Sequence, residues 1–148
     1  MDFEIGKLQI TKKHKGVYGI IRQGKKILVI KKARGPYIGL YDLPGGTPEE
    51  NETAEQTLIR EIKEETNCDV VQYKNKREKV ILFTKFLDKN NQPGCFQHTG
   101  ILFDAEVLGE PSSIPDGLDP NGAVWMDINL LDDTNATPFV LIGCDKRE

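Results

Sequence analysis

The stretch that decides the fold runs from Gly45 to Cys68 and reads GGTPEENETAEQTLIREIKEETNC. It holds seven glutamates against one arginine and one lysine. Glu61, Glu64 and Glu65 stand at i, i+3 and i+4, so a helix would place them on one stripe. Like charges at this spacing cost an isolated helix roughly 0.2–0.5 kcal/mol per pair. The stretch therefore predicts a turn and a helix whose carboxylates serve something other than folding.

The sequence marks where this helix begins and which side faces the core. Thr53 and Gln56 match a capping box at its start. The apolar positions recur with the helical period, which predicts one buried face. The residues expected on that face are Ala54, Leu58, Ile59 and Ile62.

Apolar and β-branched runs on both sides of the helix predict at least five strands. The first segment, residues 16–33, contains two runs joined near Gln23 and Gly24, which is a hairpin signal. The later runs are KVILFTKFLD (79–88), HTGILFDAEVL (98–108) and AVWMDI (123–128), with a turn-rich stretch, KNNQPGCFQ, at 89–97. This pattern predicts that Cys95 lies in a turn.

A second helix is predicted near the carboxyl terminus. Thr137 is a suitable N-cap, and Pro138 follows it in the first turn. Few helices interleaved with several strands indicate an α/β fold in which helices cover a mixed sheet. Phe139 is expected in the core, and His14 and His98 are expected to be ordinary strand or surface residues.

Length, charge and cysteine content limit the functional class. At 148 residues, we expect one domain spanning 1–148. A formal charge of −3 offers no basic footprint for a polymeric nucleic acid. The three cysteines have no CxxC spacing, and no run of eighteen apolar residues occurs. These features favour a cytoplasmic protein with reduced thiols and no membrane partner.

The acidic stripe is suited to a hard divalent cation. Mg²⁺ prefers near-octahedral oxygen ligands, and one or two carboxylates plus substrate phosphates commonly hold it. Glu61, Glu64 and Glu65 can converge on such an ion, and Glu52 can approach from the start of the helix. The Gly45–Gly46 turn lets the backbone come close to a ligand, since glycine has no side chain.

The spacing of the charged residues goes beyond a generic acidic helix. From Gly46 to Cys68 the chain closely resembles the Nudix box, G-x5-E-x7-R-E-U-x-E-E-x-G-U, in which U is a bulky aliphatic residue. Glu52, the Arg60–Glu61 pair and the Glu64–Glu65 pair all stand at the required spacing. A solvated acidic face is the alternative for such a helix, and the complete spacing favours the Nudix box over it.

Two positions at the end of the box depart from the pattern. Asn67 stands where the family has glycine, and Cys68 stands where it has an aliphatic residue. Asparagine is the usual substitute for glycine in a left-handed C-cap, and a buried cysteine behaves as a small hydrophobe. Both departures are therefore expected to be structural. The resemblance extends to YDLPGG (41–46) before the box and NGAVWMDI (121–128) after it.

The resemblance implies the Nudix α/β/α sandwich around a mixed β-sheet. It also implies Mg²⁺- or Mn²⁺-dependent hydrolysis of a nucleoside diphosphate linked to another group, X. Arg60 would orient the carboxylates with its guanidinium fork. The implied catalytic residues are Glu61, Glu64, Arg60 and Glu52, and the implied metal ligands are Gly45, Glu61, Glu64 and Glu65.

The general base and the substrate contacts follow less directly from the resemblance. Glu61 or Glu64 is the predicted base, and the alternative is an acid of the loop before the last strand, which contains Glu110, Asp116 and Asp119. Asp116 and Asp119 lie among Pro and Gly, so a role in a turn competes with that alternative. The substrate contacts predicted are Lys31, Lys32, Arg34, Asn135 and Thr137. For Lys31 and Lys32, protection of a strand edge is an equal alternative.

The substrate is predicted to be a small nucleotide. A resemblance to the MutT-like branch favours nucleoside triphosphates, standard or oxidised, cleaved to a monophosphate and pyrophosphate. ADP-ribose, dinucleoside polyphosphates and nucleotide sugars are alternatives within the family. A non-catalytic Nudix module that senses a nucleotide is the alternative from another class, and the sequence leaves open whether the protein forms a homodimer.

Overall fold

The structure is a computed structural model that describes residues 10–33, 35, 37–87, 90–111 and 122–148. The side chains of residues 11 and 84–87 fall outside this description. The helices are α1 (Ala54–Thr66), a 3₁₀ helix (Ile128–Leu130) and α2 (Pro138–Gly143). The strands are β1 (Ile10–Ile20), β2 (Arg22–Gln23), β3 (Lys26–Lys31), β4 (Tyr41–Asp42), β5 (Gly45–Gly46), β6 (Asp69–Leu87), β7 (Pro93–Leu108) and β8 (Ala123–Asp127).

These strands form two sheets, and the larger one is mixed. Its order is β5-β1-β7-β6, with β1 parallel to β7 and the other neighbours antiparallel. In the second sheet β3 pairs with β2, β4 and β8, all antiparallel. The predicted β2–β3 hairpin and the late strand β8 are therefore confirmed.

The two helices cover opposite faces of the sheets. Because side chains alternate along a strand, Val17 of β1 packs with Leu58 of α1. Its neighbour Tyr18 packs on the other side, in the same cluster as Phe139 of α2. Two hydrophobic cores result, one under each helix. The predicted α/β fold with helices on both sides of a mixed sheet is confirmed, and Phe139 is fully buried as expected.

The predicted ends of α1 are also confirmed. Thr53 Oγ1 accepts from the Gln56 amide at 3.1 Å, and Gln56 Oε1 accepts from the Thr53 amide at 2.9 Å, which completes a capping box. Asn67 ends the helix in the left-handed conformation, with φ of 64°. Cys68 is fully buried, as its expected structural role requires.

One residue was assigned to the wrong side of α1. Leu58 and Ile62 are fully buried, but Ile59 is 44% exposed. Residues four apart share a helical face, whereas the residue after Leu58 is turned about 100° around the axis. The buried stripe is therefore too narrow to include Ile59.

The predicted turn at 89–97 is wrong in its second half. Strand β7 already begins at Pro93, and Cys95 is a fully buried strand residue paired with Ile10 of β1. Proline is tolerated at the first residue of a strand, so the Pro-Gly pair starts β7 here. Strand β6 is also longer than predicted and begins at Asp69, with Asn75 at φ of 59° beside a register shift.

Two further properties of the chain concern its cysteines and its helices. Cys68, Cys95 and Cys144 are all buried, and none of them forms a disulfide bond. In the part of the chain that the structure describes, no helix is both long enough and apolar enough to cross a membrane.

Candidate active site

The Gly45–Gly46 turn fixes the floor of the candidate site. These two residues form β5 and pair with Tyr18 and Val17 of β1. A Cβ atom on Gly45 would overlap the Val17 carbonyl oxygen. A Cβ atom on Gly46 would lie 2.5 Å from the Glu61 carboxyl carbon. Glycine is therefore required at Gly45, where a side chain would meet backbone, whereas a side chain at Gly46 would displace the Glu61 carboxylate from the space beside it.

Arg60 gathers four glutamates, and we call this group the Arg60 cluster. The guanidinium holds Glu52 with a bidentate fork, Nε to Oε2 at 2.7 Å and Nη2 to Oε1 at 2.9 Å. Nη1 donates to Glu61 Oε1 at 2.9 Å and to Glu64 Oε2 at 3.2 Å. Glu49 completes the cluster at 3.7 Å from Nη1. One cation thus contacts four carboxylates, and three negative charges remain uncompensated within the cluster.

The pKa values of Glu52 and Glu61 in the cluster are shifted in opposite directions. The hydrogen bonds from the Arg60 side chain, the Glu49 amide and the Thr57 hydroxyl lower the pKa of Glu52 to about 2. Burial is the main cause that raises the pKa of Glu61, and it outweighs the stabilising contacts of Arg60. The pKa of Arg60 is raised, mainly by its bond to Glu52. Arg60 therefore stays charged, whereas burial disfavours the ionised form of Glu61, which a further cation would stabilise.

Glu64 and Glu65 differ in their hydrogen bonds to the rest of the protein. Glu65 Oε1 accepts from the Gly45 amide at 2.7 Å, which ties the end of α1 to the glycine turn. The Glu64 side chain is 49% exposed and reaches Arg60 only through long hydrogen bonds. Glu64 is therefore the box carboxylate with the greatest freedom to turn toward solvent or a ligand.

A cavity of about 260 Å³ opens on the α2 face of the larger sheet, beside the glycine turn. Tyr18 belongs to both places, because it pairs with Gly45 and lines the cavity. Burial is the main cause that raises the pKa of Tyr18, and the charges of Asp42, Glu65 and Glu61 act in the same direction. The described lining residues are Lys12, His14, Tyr18, Lys32, Gly35, Tyr37, Asp42, Phe96 and His98.

Aromatic residues form the wall of this cavity. His98 is 2% exposed and has a tyrosine on each side: Nε2 lies 2.7 Å from the Tyr18 hydroxyl and Nδ1 lies 3.2 Å from the Tyr37 hydroxyl. Its ring centroid lies 4.6 Å from that of Phe139 and 5.5 Å from that of Phe96. Burial lowers the pKa of His98 from 6.5 to about 3. The imidazole is therefore neutral and can donate to only one of the two tyrosines.

The family model of the NUDIX domain matches residues 12–140. The chain belongs to the Nudix family. It is 30% identical over 129 residues to a Bacillus subtilis protein named putative 8-oxo-dGTP diphosphatase, a match that covers 87% of this chain and 72% of that protein. It is 52% identical over 50 residues to the ADP-ribose pyrophosphatase of Methanocaldococcus jannaschii, which covers 34% of this chain and 30% of that protein.

The fold of this Nudix chain is similar to solved structures of the family. The crystal structure of a MutT NUDIX hydrolase from Burkholderia pseudomallei superimposes with a TM-score of 0.63 at 23% identity, over 91% of this chain and 98% of that one. This likeness supports the sandwich architecture. The predicted resemblance to the Nudix family is confirmed.

Nudix hydrolases generally use divalent metal ions, and the donors of the Nudix box suit such an ion. The Gly45 carbonyl and the carboxylates of Glu61, Glu64 and Glu65 are all hard oxygen donors. Within the described ranges, no group of three or more His, Cys, Asp or Glu side chains is arranged to hold a metal. Glu61 and Glu64 instead point toward Arg60. The surplus of negative charge, and the space that Gly46 leaves for Glu61, fit a cation beside this arginine.

The predicted substrate contacts lie in different surroundings. Lys32 lines the cavity, whereas the exposed Lys31 lies with its amine 5.7 Å from the centre of the Tyr41 ring. Asn135 uses its side chain within its own loop, accepting from the Asp132 amide at 2.9 Å and donating to the Leu130 carbonyl at 2.7 Å. Arg34 lies outside the described residues.

Thr137 is placed differently from its predicted role as a substrate contact. It is fully buried, and its hydroxyl donates to Asp42 Oδ1 at 2.8 Å while it caps α2. The Thr137 side chain is therefore not accessible to a ligand, and we do not retain it as a substrate contact. The predicted loop acids Asp116 and Asp119 lie outside the described residues, and Glu110 is exposed.

Sequence reasoning missed the residues that build the cavity. Tyr18, Tyr37 and Asp42 were not assigned a role, and His98 was expected to be an ordinary strand or surface residue. The sequence does indicate which residues of β1 share a face, and likewise for β7, because residues two apart in a strand lie on the same face of the sheet. Register was the missing information: His14 pairs with His98, eighty-four positions away, across parallel strands.

Proposed function

We propose that this Nudix chain is a divalent-metal-dependent pyrophosphohydrolase that cleaves a nucleoside diphosphate linked to a group X. Nucleoside triphosphates, standard or oxidised, are the preferred substrate class, and the products are a nucleoside monophosphate and pyrophosphate. The observation that carries the proposal is the Arg60 cluster. It brings Glu52, Glu61 and Glu64 of the box, together with Glu49, around one arginine, with three uncompensated negative charges. Glu65 of the box ties the same helix to the glycine turn, which pairs with Tyr18 of the aromatic cavity.

The relatives support this reaction class. One is named putative 8-oxo-dGTP diphosphatase and another ADP-ribose pyrophosphatase. Both names describe cleavage of a phosphoanhydride in a nucleotide. Because they differ in substrate, the choice of nucleoside triphosphates rests on the longer of the two matches, which covers 87% of this chain.

The Gly45 carbonyl, Glu61, Glu64 and Glu65 would hold the metal, for which Mg²⁺ or Mn²⁺ is the proposed identity. When bound, such an ion neutralises the diphosphate and lowers the pKa of water. Arg60 holds Glu52 through its bidentate fork and Glu61 through a hydrogen bond from Nη1. Glu65 fixes the glycine turn relative to α1 through the Gly45 amide.

A carboxylate of the box is the proposed general base. Glu61 or Glu64 takes the proton as the water oxygen forms a bond to phosphorus, and the phosphoanhydride P–O bond breaks with its electrons leaving on the departing phosphate. Glu64 has the greater freedom to reach a water, since half of its side chain is exposed. Asp116 or Asp119 is the alternative base.

The aromatic cavity is the proposed site for the organic part of the substrate. It shares Tyr18 with the glycine turn, so a group placed there stays next to the cleaved diphosphate. Aromatic walls and a few convergent polar groups are typical of small-molecule sites. Lys32 is retained as a substrate contact because it lines this cavity.

The proposal is tested by the identity of the products. The protein is incubated with Mg²⁺ and a panel of standard and oxidised nucleoside triphosphates, ADP-ribose, a diadenosine polyphosphate and nucleotide sugars, in ¹⁸O-labelled water. We expect a nucleoside monophosphate and pyrophosphate from the triphosphates. Glu64→Gln keeps the shape of the side chain but removes its charge, so turnover should fall by at least about 10²-fold.

A matched control comes from the same helix. Glu55 pairs with Lys76 at 3.4 Å, away from the Arg60 cluster, so Glu55→Gln should keep nearly full activity. Mg²⁺ should raise the melting temperature of the wild-type protein, and less so that of Glu64→Gln. Orthophosphate as the sole product would contradict the proposed chemistry. Tight nucleotide binding without turnover of any panel member would instead favour a nucleotide-sensing module.

A further inference from the structure

Thr57 is a fully buried residue of α1 that forms a hydrogen bond with a carboxylate of the Nudix box. Thr53 is the N-cap and Gln56 is the third residue of the helix, so Thr57 is the fourth and Glu52 is the residue before the cap. A hydrophobic staple fills these two positions with apolar side chains that pack together. Here a hydroxyl and a carboxylate take their place. A buried polar pair is not required to start the helix, so its role lies elsewhere.

The Thr57 hydroxyl has two acceptors within reach but only one proton. One acceptor is Glu52 Oε1 at 2.7 Å, and the other is the Thr53 carbonyl oxygen at 2.9 Å. The Thr53 carbonyl already accepts from the Thr57 amide at 2.9 Å. A hydrogen bond to a carboxylate is about twice as strong as one between neutral groups. The hydroxyl proton therefore goes to Glu52.

This bond completes the set of contacts that holds the Glu52 carboxylate. Oε1 also accepts from Arg60 Nη2 at 2.9 Å and from the Glu49 amide at 3.0 Å, while Oε2 accepts from Arg60 Nε at 2.7 Å. The Glu52 side chain is only 12% exposed. Among the described residues, Thr57 is the one side chain other than Arg60 that donates to Glu52. Thr57 therefore fixes Glu52 independently of the arginine.

The position of Glu52 in turn sets the direction of the Arg60 guanidinium. The fork to Glu52 uses Nε and Nη2. Nη1 is then directed at Glu61 Oε1 at 2.9 Å and at Glu64 Oε2 at 3.2 Å. Because the guanidinium is planar and its donors have a fixed geometry, a shift of Glu52 would also shift Nη1. Glu61 and Glu64 would then lose their present orientation.

We infer that Thr57 is a positioning residue for the proposed hydrolysis, because its hydroxyl holds Glu52 and Glu52 aims Arg60 at Glu61 and Glu64. This inference rests on the proposed function, in which Glu61 and Glu64 are the candidate bases and two of the metal ligands. Thr57 is fully buried and does not reach a substrate. Its effect should therefore appear in kcat rather than in KM.

Substitutions of Thr57 test the inference with the nucleoside triphosphates and Mg²⁺ of the product assay. Thr57→Val replaces the hydroxyl by a methyl group of similar size. It removes one charge-assisted hydrogen bond, so kcat should fall about tenfold while KM stays within about twofold. Thr57→Ser keeps the hydroxyl and should recover most of kcat. Thr57→Ala, which also lacks the hydroxyl, replaces Thr57→Val in the comparison if the valine variant does not fold.

A double-mutant cycle tests whether the effect passes through the carboxylate. Glu52→Ala removes the acceptor of the Thr57 hydroxyl. In that background Thr57→Val should lower kcat by less than about twofold, because interacting residues are not additive. A further tenfold loss would show that Thr57 acts by another route and would overturn the inference.

Thr66 provides the matched control on the same helix. It is also fully buried, but its hydroxyl donates to the Ile62 carbonyl at 2.7 Å and accepts from the Cys68 amide at 3.1 Å. Thr66→Val should lower the melting temperature but change kcat by less than about twofold, at a temperature at which both variants are folded. Equal losses of kcat in Thr57→Val and Thr66→Val, or no recovery in Thr57→Ser, would overturn the inference and leave the proposed function intact. Absence of turnover by the wild-type protein would overturn both.

Discussion

His98 should make the stability of the protein fall as the pH drops below neutral. Its ring is 2% exposed and is held between the hydroxyls of Tyr18 and Tyr37. Burial lowers the pKa of the folded imidazole from 6.5 to about 3, and the charges of His14 and Lys32 act in the same direction. The unfolded chain regains the ordinary value. At a pH between these two pKa values, His98 therefore binds a proton in the unfolded state but not in the folded state.

The magnitude follows from linkage. Stability is fully present above pH 6.5 and is lost as the pH falls toward 3, because the unfolded state then binds more protons. One pH unit within that window corresponds to about 1.36 kcal/mol. A pH of 5 lies about 1.5 units below the pKa of the histidine in the unfolded chain. Through this group alone, the free energy of unfolding should therefore be about 2 kcal/mol lower at pH 5 than at pH 7.

Urea unfolding at pH 7 and pH 5 measures the effect, with His98→Gln as the test variant. Glutamine keeps a donor and an acceptor for the two tyrosines but does not titrate, so its loss of stability between the two pH values should be smaller by about 2 kcal/mol. His14→Gln is the comparison, since His14 is the other histidine of the chain. An NMR titration of the wild-type imidazole remains informative if the variant unfolds. Identical losses in wild type and His98→Gln, or an imidazole that titrates near 6.5, would refute the reasoning.

Two further substitutions separate activity from stability in different ways. Gly46→Ala places a Cβ atom 2.5 Å from the carboxyl carbon of Glu61. Because that carboxylate is the mobile end of a side chain, it should move away, so hydrolysis should fall by up to about 10²-fold while the melting temperature changes little. Unchanged turnover would contradict the placement of Glu61. Thr137→Val removes the hydroxyl that donates to the buried Asp42 and caps α2, so urea unfolding should show a loss of about 2–3 kcal/mol. Thr137→Ser, which keeps the hydroxyl, should lose clearly less, and equal losses would show that the hydroxyl contributes little.

The sequence predicted the parts of the fold that depend on local rules. The capping box of Thr53 and Gln56 and the left-handed Asn67 were correct because caps are satisfied within one helical turn. The assignment of Ile59 to the core was wrong because periodicity does not define the width of a buried stripe. The Pro-Gly pair at the start of β7 was taken for a turn, because proline and glycine favour turns unless strand pairing overrides them.

The candidate site shows the same division between local and distant information. The carboxylates of the Nudix box lie within one segment, so their spacing alone indicated a shared site. The cavity depends on β1, β7, the segment after β3 and Asp42 of β4, and its β1 and β7 residues are brought together by the parallel pairing of the two strands. Nothing in the sequence near His98 specifies that Tyr18 and Tyr37 will flank it. A buried histidine therefore looked like an ordinary strand residue.

The glutamates of α1 can be accommodated before any ligand arrives because Arg60 lies among them. Its guanidinium contacts Glu52, Glu61 and Glu64 at 2.7–3.2 Å, which offsets part of the repulsion that the helical spacing creates. One positive charge cannot neutralise the cluster, and burial already raises the pKa of Glu61. Full compensation by additional arginines would stabilise the helix but would leave no negative charge to attract a cation. The arrangement therefore stabilises the fold only in part, and the remaining charge is what the proposed chemistry requires.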